Sequence, residues 1–460
     1  LILPAPLIQS LQNIKGFNEE AFKAVHQSGG QITSLRLNPE KLIIKNSKLT
    51  REGAVPWSSN GFYLSERPSF TLDPIFHAGA YYVQEASSMF LEQALKQTVD
   101  LAKPVKVLDL CAAPGGKSTL IQSLIATESL LVSNEVIKTR VNILAENITK
   151  WGAANVIVSN NDPKDFGRLQ NYFDVIVVDA PCSGSGLFRK DADAIGEWSE
   201  HSVNMCAQRQ QRILADIMPS LKAGGVLIYS TCSYSQEEDE AIAEWLIGQF
   251  AFSSLQLAIE ADWGIVETVA ENLPAYGYRF YPDKVKGEGF FIAAFKKPFE
   301  GEVNDEVKSK KSKVKKGEAV VTLKEVDILK PYLVNADDFC YIRQHEEIIA
   351  VPKHLEHELA VIQSALYIKK AGVKLGTIIR NELIPAHDLA VSSIINPAVS
   401  RLEVNRETAL QFLRKVDIHI KSEMKGWVLL TYQQLPIGWV KIMENRTNNY
   451  YPKEWRILNK

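Results

Sequence analysis

Between Pro104 and Ser233 the chain alternates short apolar runs with helical stretches, and this rhythm restricts its fold more than any other feature. VKVLDL (Val105 to Leu110) is short and almost wholly apolar, the mark of a strand buried on both faces. SLLVSNE (Ser129 to Glu135), ANVIVSNND (Ala154 to Asp162), FDVIVVDAP (Phe173 to Pro181) and GGVLIYSTCS (Gly224 to Ser233) read the same way. STLIQSLIATE, KTRVNILAENITKWG and QRQQRILADIMPSL lie between them and read as helices. The alternation predicts an α/β fold with a doubly wound, mostly parallel sheet. Ligands of such sheets sit outside the C-terminal strand ends, and each motif below falls at one of those ends.

At 460 residues the chain exceeds one typical core, so several domains are expected. The five cysteines, Cys111, Cys182, Cys206, Cys232 and Cys340, form no CxxC pair. A disulfide scaffold or a metal site is therefore not expected, and a reducing cytoplasm is. No apolar run approaches the ~20 residues that span a bilayer, so no membrane partner is expected. The opening LILPAPLIQS has no basic n-region and does not read as a signal peptide. The formal net charge of -2 neither announces nor excludes nucleic-acid binding. Six lysines between Lys308 and Lys316 mark a linker. Residues 319–460 are slightly basic, with 19 Lys+Arg against 16 Asp+Glu. There, GWVLLTYQQLPIGWVKI alternates like a β-hairpin around Leu435-Pro436-Ile437-Gly438.

The turn LDLCAAPGGKST (Leu108 to Thr119) joins a strand to a helix through glycines, which lets backbone approach a ligand closely. It falls short of the phosphate-cradling G-x-x-x-x-G-K-[ST] pattern, because Cys111 stands at the first glycine position. Glu135 ends the second strand, where a carboxylate accepts from ribose hydroxyls; Asp162 ends the third, where it would face an adenine. This set points to a nucleoside ligand. S-adenosylmethionine fits better than NAD, because the G-x-G-x-x-G pyrophosphate fingerprint is absent.

Two further strand ends carry cysteines, in Asp179-Ala180-Pro181-Cys182-Ser183-Gly184 and Ser230-Thr231-Cys232-Ser233. A buried strand-end cysteine is usually an inert small hydrophobe, but two at neighbouring ends of a cofactor fold suggest chemistry. Carbon 5 of cytosine is a poor nucleophile. A thiolate that adds to carbon 6 makes the ring enamine-like and lets carbon 5 take a methyl group. Asp179 would hydrogen-bond N3 of the ring. Spacing does not rank the two cysteines.

With Asp109, CAAPGGK, Glu135, Asp162, DAPCSGSG and STCS in place, the chain resembles the RNA cytosine-5 methyltransferases with two active-site cysteines. RLNP, YYVQEASSM and VKGEGFFIA (Val285 to Ala293) extend the likeness over roughly residues 30 to 298. The resemblance implies that Cys111, Ala112, Ala113, Pro114, Gly115, Gly116 and Lys117 wrap the methionine part of S-adenosylmethionine. It places Asp179 between cofactor and target base. Cys232 is implied as nucleophile and Cys182 as the group that helps break the adduct. Where Asp283 stands the family often has a basic residue, and an altered RNA contact is expected there.

The resemblance also implies the domain plan. It comprises an RNA-recognition-like segment (1–95), a catalytic domain (96–298), a Lys-rich linker (299–320), an intermediate domain (321–385) and a PUA-like β-barrel region (386–460). LLTYQQLPIGWVKI and NNYYPKEWRI (Asn448 to Ile457) carry the last likeness. Family members so extended modify 16S rRNA within the assembled 30S subunit, which implies that partner here and cytosine 1407 as target. A monomer is expected. A tRNA or 23S rRNA target, or a non-catalytic ribosome assembly factor, are the alternatives. The target base must be unpaired or flipped out. Arg189, Lys190, Trp198 and His201, just beyond DAPCSGSG, are candidate RNA contacts.

Overall fold

The computed structural model describes residues 2–41, 50–299, 321–420 and 422–458, and the lysine-rich run lies outside them. The N-terminal segment opens with two helices, Ala5–Leu11 and Glu19–Gln27. An antiparallel sheet follows, built from β1 (Thr33–Leu37), β2 (Arg51–Ala54), β3 (Gly61–Leu64) and β4 (Tyr81–Tyr82) in the order β2-β3-β1-β4.

The five apolar runs form β5 (Lys106–Asp109), β6 (Leu130–Asn134), β7 (Val156–Ser159), β8 (Phe173–Asp179) and β9 (Leu221–Thr231). They pair in parallel in the order β9-β8-β5-β6-β7. Alternate side chains bury opposite faces. Leu108, Ile176 and Phe291 enter one apolar cluster, while Val107, Val177 and Ile292 enter another. The order reverses beside β5, so the ends of β5 and β8 open a crevice at the switch point.

Further strands make this sheet mixed. β10 (Ser253–Leu255), β11 (Val266–Val269), β12 (Tyr276–Phe280) and β13 (Phe290–Lys296) add antiparallel beyond β9. On the opposite flank comes a strand from far along the chain. β14 (Phe339–Gln344), β15 (Glu347–Pro352), β17 (Val373–Ile379) and β18 (Glu382–Pro385) form their own sheet, but β16 (Ile368–Ala371) pairs antiparallel with β7.

The last sheet joins β19 (Arg401–Glu403), β20 (Gly426–Tyr432), β21 (Leu435–Ile442) and β22 (Thr447–Asn449). Its hairpin turns at Gln433-Gln434, not at the Leu435–Gly438 stretch expected from sequence. Both glutamines have positive φ (51° and 66°), as a two-residue type I′ turn requires. Pro436 instead lies within β21, where the register with β20 shifts between Leu430 and Thr431 and a missing N–H is tolerated.

Lys41 ties three regions together. Its buried Nζ donates to the carbonyls of Ala78 (2.8 Å), Lys150 (2.6 Å) and Val391 (2.7 Å). These lie at the C-terminal ends of the helices Pro74–His77, Lys138–Trp151 and His387–Val391, where dipoles favour a cation.

Candidate active site

β5 delivers Asp109 to the base of the crevice. Its Oδ2 accepts from Ser118 Oγ at 2.6 Å, while Oδ1 is buried without a partner. Burial pushes this carboxyl up to about 7, against Ser118 and Lys117, with Asp179 and Glu135 adding to the rise. The turn that follows is shaped by glycine. Gly115 has φ 116°, which L side chains rarely adopt, and a Cβ on Gly116 would meet the Tyr82 ring at 3.3 Å. From the helix Lys138–Trp151, Arg140 Nη2 donates to Ala113 O at 2.6 Å and Asn147 Nδ2 to Pro114 O at 2.8 Å. The resulting cleft of about 180 Å³ is lined by Cys111 to Pro114, Gly116, Lys117 and Asp179. Tyr82, Gln84, Glu85 and Ser88 of the N-terminal segment also line it. A turn in which Gly115 and Gly116 add no side chain, with the buried, unpartnered Asp109 oxygen behind it, suits the cationic methionine part of the expected cofactor.

Glu135 follows β6 and is 2 % exposed. Its Oε1 accepts from Ile137 N at 2.9 Å, and Arg140 Nη1 lies 3.5 Å from Oε2. Asp162 follows β7, part-exposed, capping the turn Pro163–Arg168 through Lys164 N. The strand end that carries Asp162 is braced from the C-terminal half. Tyr367 N donates to Asn161 Oδ1 at 2.9 Å, and Asn161 Nδ2 donates back to Tyr367 O at 2.9 Å.

Asp179 closes β8 between two donors. Lys117 Nζ lies 2.7 Å from Oδ2, and Ser230 Oγ donates to Oδ1 at 2.8 Å. Burial alone would lower the Lys117 ammonium, but Asp179, Asp109 and Cys232 leave it raised.

Beyond Asp179 the two cysteine loops converge. Cys182 Sγ and Cys232 Sγ are 3.0 Å apart and neither is disulfide-bonded. Gly186 N donates to Cys232 O at 2.8 Å, and a Cβ on Gly186 would lie 2.7 Å from that oxygen. The hydrogen bond shared with Cys232, then burial, then the charges of Cys232 and Glu238 hold the Cys182 thiol well above its ordinary range.

The site is thus a Gly-rich cradle, two strand-end acids and a paired thiol. The chain matches, over residues 96–296, the family described as 16S rRNA methyltransferase RsmB/F. Residues 3–86 match the N-terminal domain of 16S rRNA methyltransferase RsmF, and residues 399–457 the methyltransferase RsmF PUA domain. Ribosomal RNA small subunit methyltransferase F of Vibrio vulnificus (strain YJ016) is 30% identical over 473 residues, covering 98% of this chain and 97% of that protein. Its counterpart in Aliivibrio fischeri is 31% identical over 413 residues, covering 87% and 85%.

The chain belongs to the ribosomal RNA small subunit methyltransferase F family.

This makes it an S-adenosylmethionine-dependent RNA methyltransferase. Among solved structures, a methyltransferase homologue from Pyrococcus horikoshii is 27% identical, with a TM-score of 0.51, covering 64% of this chain and 100% of that one. The NSun6 protein of P. horikoshii, solved with SFG, shares the fold at 19% identity and a TM-score of 0.53, covering 65% and 99%.

Not every residue expected to meet RNA can do so in this family member. Trp198 is only 8 % exposed and packs in the cluster of Leu7, Leu11 and Phe22. The Arg189 side chain is 6 % exposed. It donates to Gly287 O and Gly30 O and lies 3.4 Å from Glu288 Oε2. Trp198 is thus packed by the first helices of the chain, and Arg189 is engaged within the protein by Gly30, Gly287 and Glu288. Lys190 and His201 stay exposed. The Asp283 side chain is 5 % exposed, so the altered RNA contact expected there is not available to it. Among the described residues no helix is long and apolar enough to cross a membrane, and no group of three metal-ligating side chains converges.

Sequence reading missed Arg36 and Glu238. Arg36 is wholly buried behind the cradle and donates to Gln84 Oε1 at 2.9 Å and Thr119 Oγ1 at 2.6 Å. Glu238 sits in QEEDE, an acidic run that reads as a solvated helix start. It is instead fully buried behind the cysteines. Arg36 opens the RLNP stretch, but its partners here stand 48 and 83 positions away, and Glu238 reaches Ser183 and Gln210 across 55 and 28 positions.

Proposed function

We propose that the protein methylates carbon 5 of a cytosine in 16S rRNA, with Cys232 as the nucleophile. Position 1407 in the assembled 30S subunit is the target taken over from the family resemblance. The observation that carries the reading is the pair of sulfurs 3.0 Å apart, beside the Asp179–Lys117 ion pair.

S-adenosylmethionine supplies an electrophilic methyl group when bound. The Cys111–Lys117 turn would hold its methionine part, with Asp109 behind. Glu135 would accept from the ribose hydroxyls and Asp162 would face the adenine. The deprotonated Cys232 adds to carbon 6 of the cytosine, forming a C–S bond as the C5–C6 double bond opens. Asp179 orients the ring at N3, passing it a proton as the thiolate adds and taking it back on breakdown, with Lys117 held against one of its carboxylate oxygens. Carbon 5 then takes the methyl group. Loss of the carbon 5 proton to solvent restores the double bond and expels the thiolate, and Cys182 assists this breakdown. The family membership, the SFG-bound fold relative and the unpartnered Asp109 oxygen all support this reading. We place the protein in the cytoplasm, in line with its five free cysteines.

Bisulfite sequencing of ribosomal RNA from a deletion strain tests it. Loss of one 5-methylcytosine in 16S rRNA is expected, restored by the wild-type chain. Unchanged 16S rRNA with a lost methyl group in tRNA or 23S rRNA would transfer the reading to that substrate.

A further inference from the structure

Behind the two cysteines lies a buried carboxylate that the reaction scheme does not use. Glu238 Oε1 accepts from Ser183 N at 2.8 Å and from Gln210 Nε2 at 3.3 Å. Its Oε2 accepts from Ser183 Oγ at 2.5 Å and Ser233 Oγ at 2.6 Å. Ser183 follows Cys182 and Ser233 follows Cys232, so one carboxylate clips both cysteine loops. The Ser233 hydroxyl already accepts from Ser235 N at 3.0 Å, which leaves its proton for Glu238. A backbone N–H, an amide N–H and that hydroxyl are all donors. Such a donor shell suits the ionised form, against the burial that raises the Glu238 carboxyl.

The clip is lopsided. Two of its bonds hold Ser183, one of them to backbone, while Ser233 is held by its hydroxyl alone. Glu238 acts on the Cys182 side and also reaches Cys206 on the helix Glu200–Ile217, where Arg209 opposes it. Cys232 acts on both of these thiols too, and also on Lys117, which pairs with Asp179. Tyr229 and Asp239 also neighbour Glu238: Tyr229 donates to Glu238 O at 2.6 Å, and Asp239 accepts from Thr231 Oγ1 at 2.6 Å.

We propose that Glu238 is a positioning residue that decides which of the two touching sulfurs keeps the shared proton, holding Cys182 as the thiol and leaving Cys232 as the sulfur that reacts. The inference rests on the reading of Cys232 as nucleophile. It supplies a physical ranking of two cysteines that spacing along the chain leaves equivalent.

Alkylation by iodoacetamide at pH 8, taken to low conversion on the full chain without RNA and mapped by mass spectrometry, tests it. In the wild type Cys232 reacts ahead of Cys182. Glu238→Gln keeps the shape but removes the charge, and the Cys232-to-Cys182 ratio should fall roughly tenfold, the effect of about one pKa unit. Glu238→Asp keeps the charge and should stay close to the wild-type ratio. A Glu238→Gln ratio equal to wild type, in protein that still binds S-adenosylmethionine, overturns the proposal. If Glu238→Gln does not fold, the wild type decides: Cys182 reacting as fast as Cys232, or faster, overturns it equally. Full methyl transfer by Cys232→Ala would sink the assigned reaction instead, and would leave the alkylation result standing.

Discussion

The sulfur of Cys182 touches that of Cys232 at 3.0 Å although the two residues stand fifty positions apart. Parallel pairing of β8 with β9, with Asp179 opposite Ser230, brings the two loops side by side. The contact makes the thiols one coupled unit, and their removal should have unequal effects.

Cys232→Ala should reduce methyl transfer to 30S subunits by on the order of 10³-fold or more, as loss of a nucleophile does. Cys182→Ala should instead accumulate a protein–RNA adduct that survives denaturing electrophoresis. A radiolabelled methyl donor reads the first outcome and gel mobility the second. Efficient turnover by Cys182→Ala without an adduct would reverse the assigned roles.

Glu135→Gln should weaken S-adenosylmethionine binding by roughly 10- to 100-fold, the range for losing a charge-assisted hydrogen bond. Asp162→Asn, at a part-exposed position, should cost less. Calorimetry on the isolated protein measures both, and equal losses would argue against distinct ribose and adenine roles.

Asp109 gives a pH dependence with a definite sign. Its folded-state carboxyl is raised to about 7, above its unfolded value. Its contribution to stability is therefore complete below the unfolded value and is lost as pH rises through about 7. Between pH 6 and pH 8 the cofactor-free wild type should lose about 1.4 kcal/mol more than Asp109→Asn. Urea unfolding at the two pH values provides the comparison.

Lys41→Met should destabilise the chain by about 3 kcal/mol or more, because three buried carbonyls lose their donor. The same change should loosen the C-terminal region from the catalytic sheet. Hydrogen exchange in the helix His387–Val391 reports this, and unaltered protection there would mean that other contacts suffice.

The central strands were legible in the sequence because each is buried on both faces and so is written as an unbroken apolar run. The cradle was legible because a glycine is needed where φ reaches 116° at Gly115. Glu135, Asp162 and Asp179 were legible because they directly follow or end such runs. The Gln433-Gln434 turn was not, since glutamine is an uncommon occupant of a left-handed turn and Pro436 beside it is the stronger turn signal. Trp198 and Arg189 misled for a related reason. An aromatic and a cation after a catalytic loop look alike whether they face RNA or, as here, are taken up within the chain, Trp198 among the first two helices and Arg189 by Gly30, Gly287 and Glu288.

Local pattern thus determined the α/β rhythm, the strand ends and the residue types of the site, since burial and backbone conformation select side chains position by position. Tertiary structure alone decided which strand ends became neighbours. It set the two sulfurs in contact, drew β16 to the edge of β7, and buried Glu238 behind both cysteine loops. These are relations between segments distant along the chain, and each is settled by packing that no single stretch of sequence encodes.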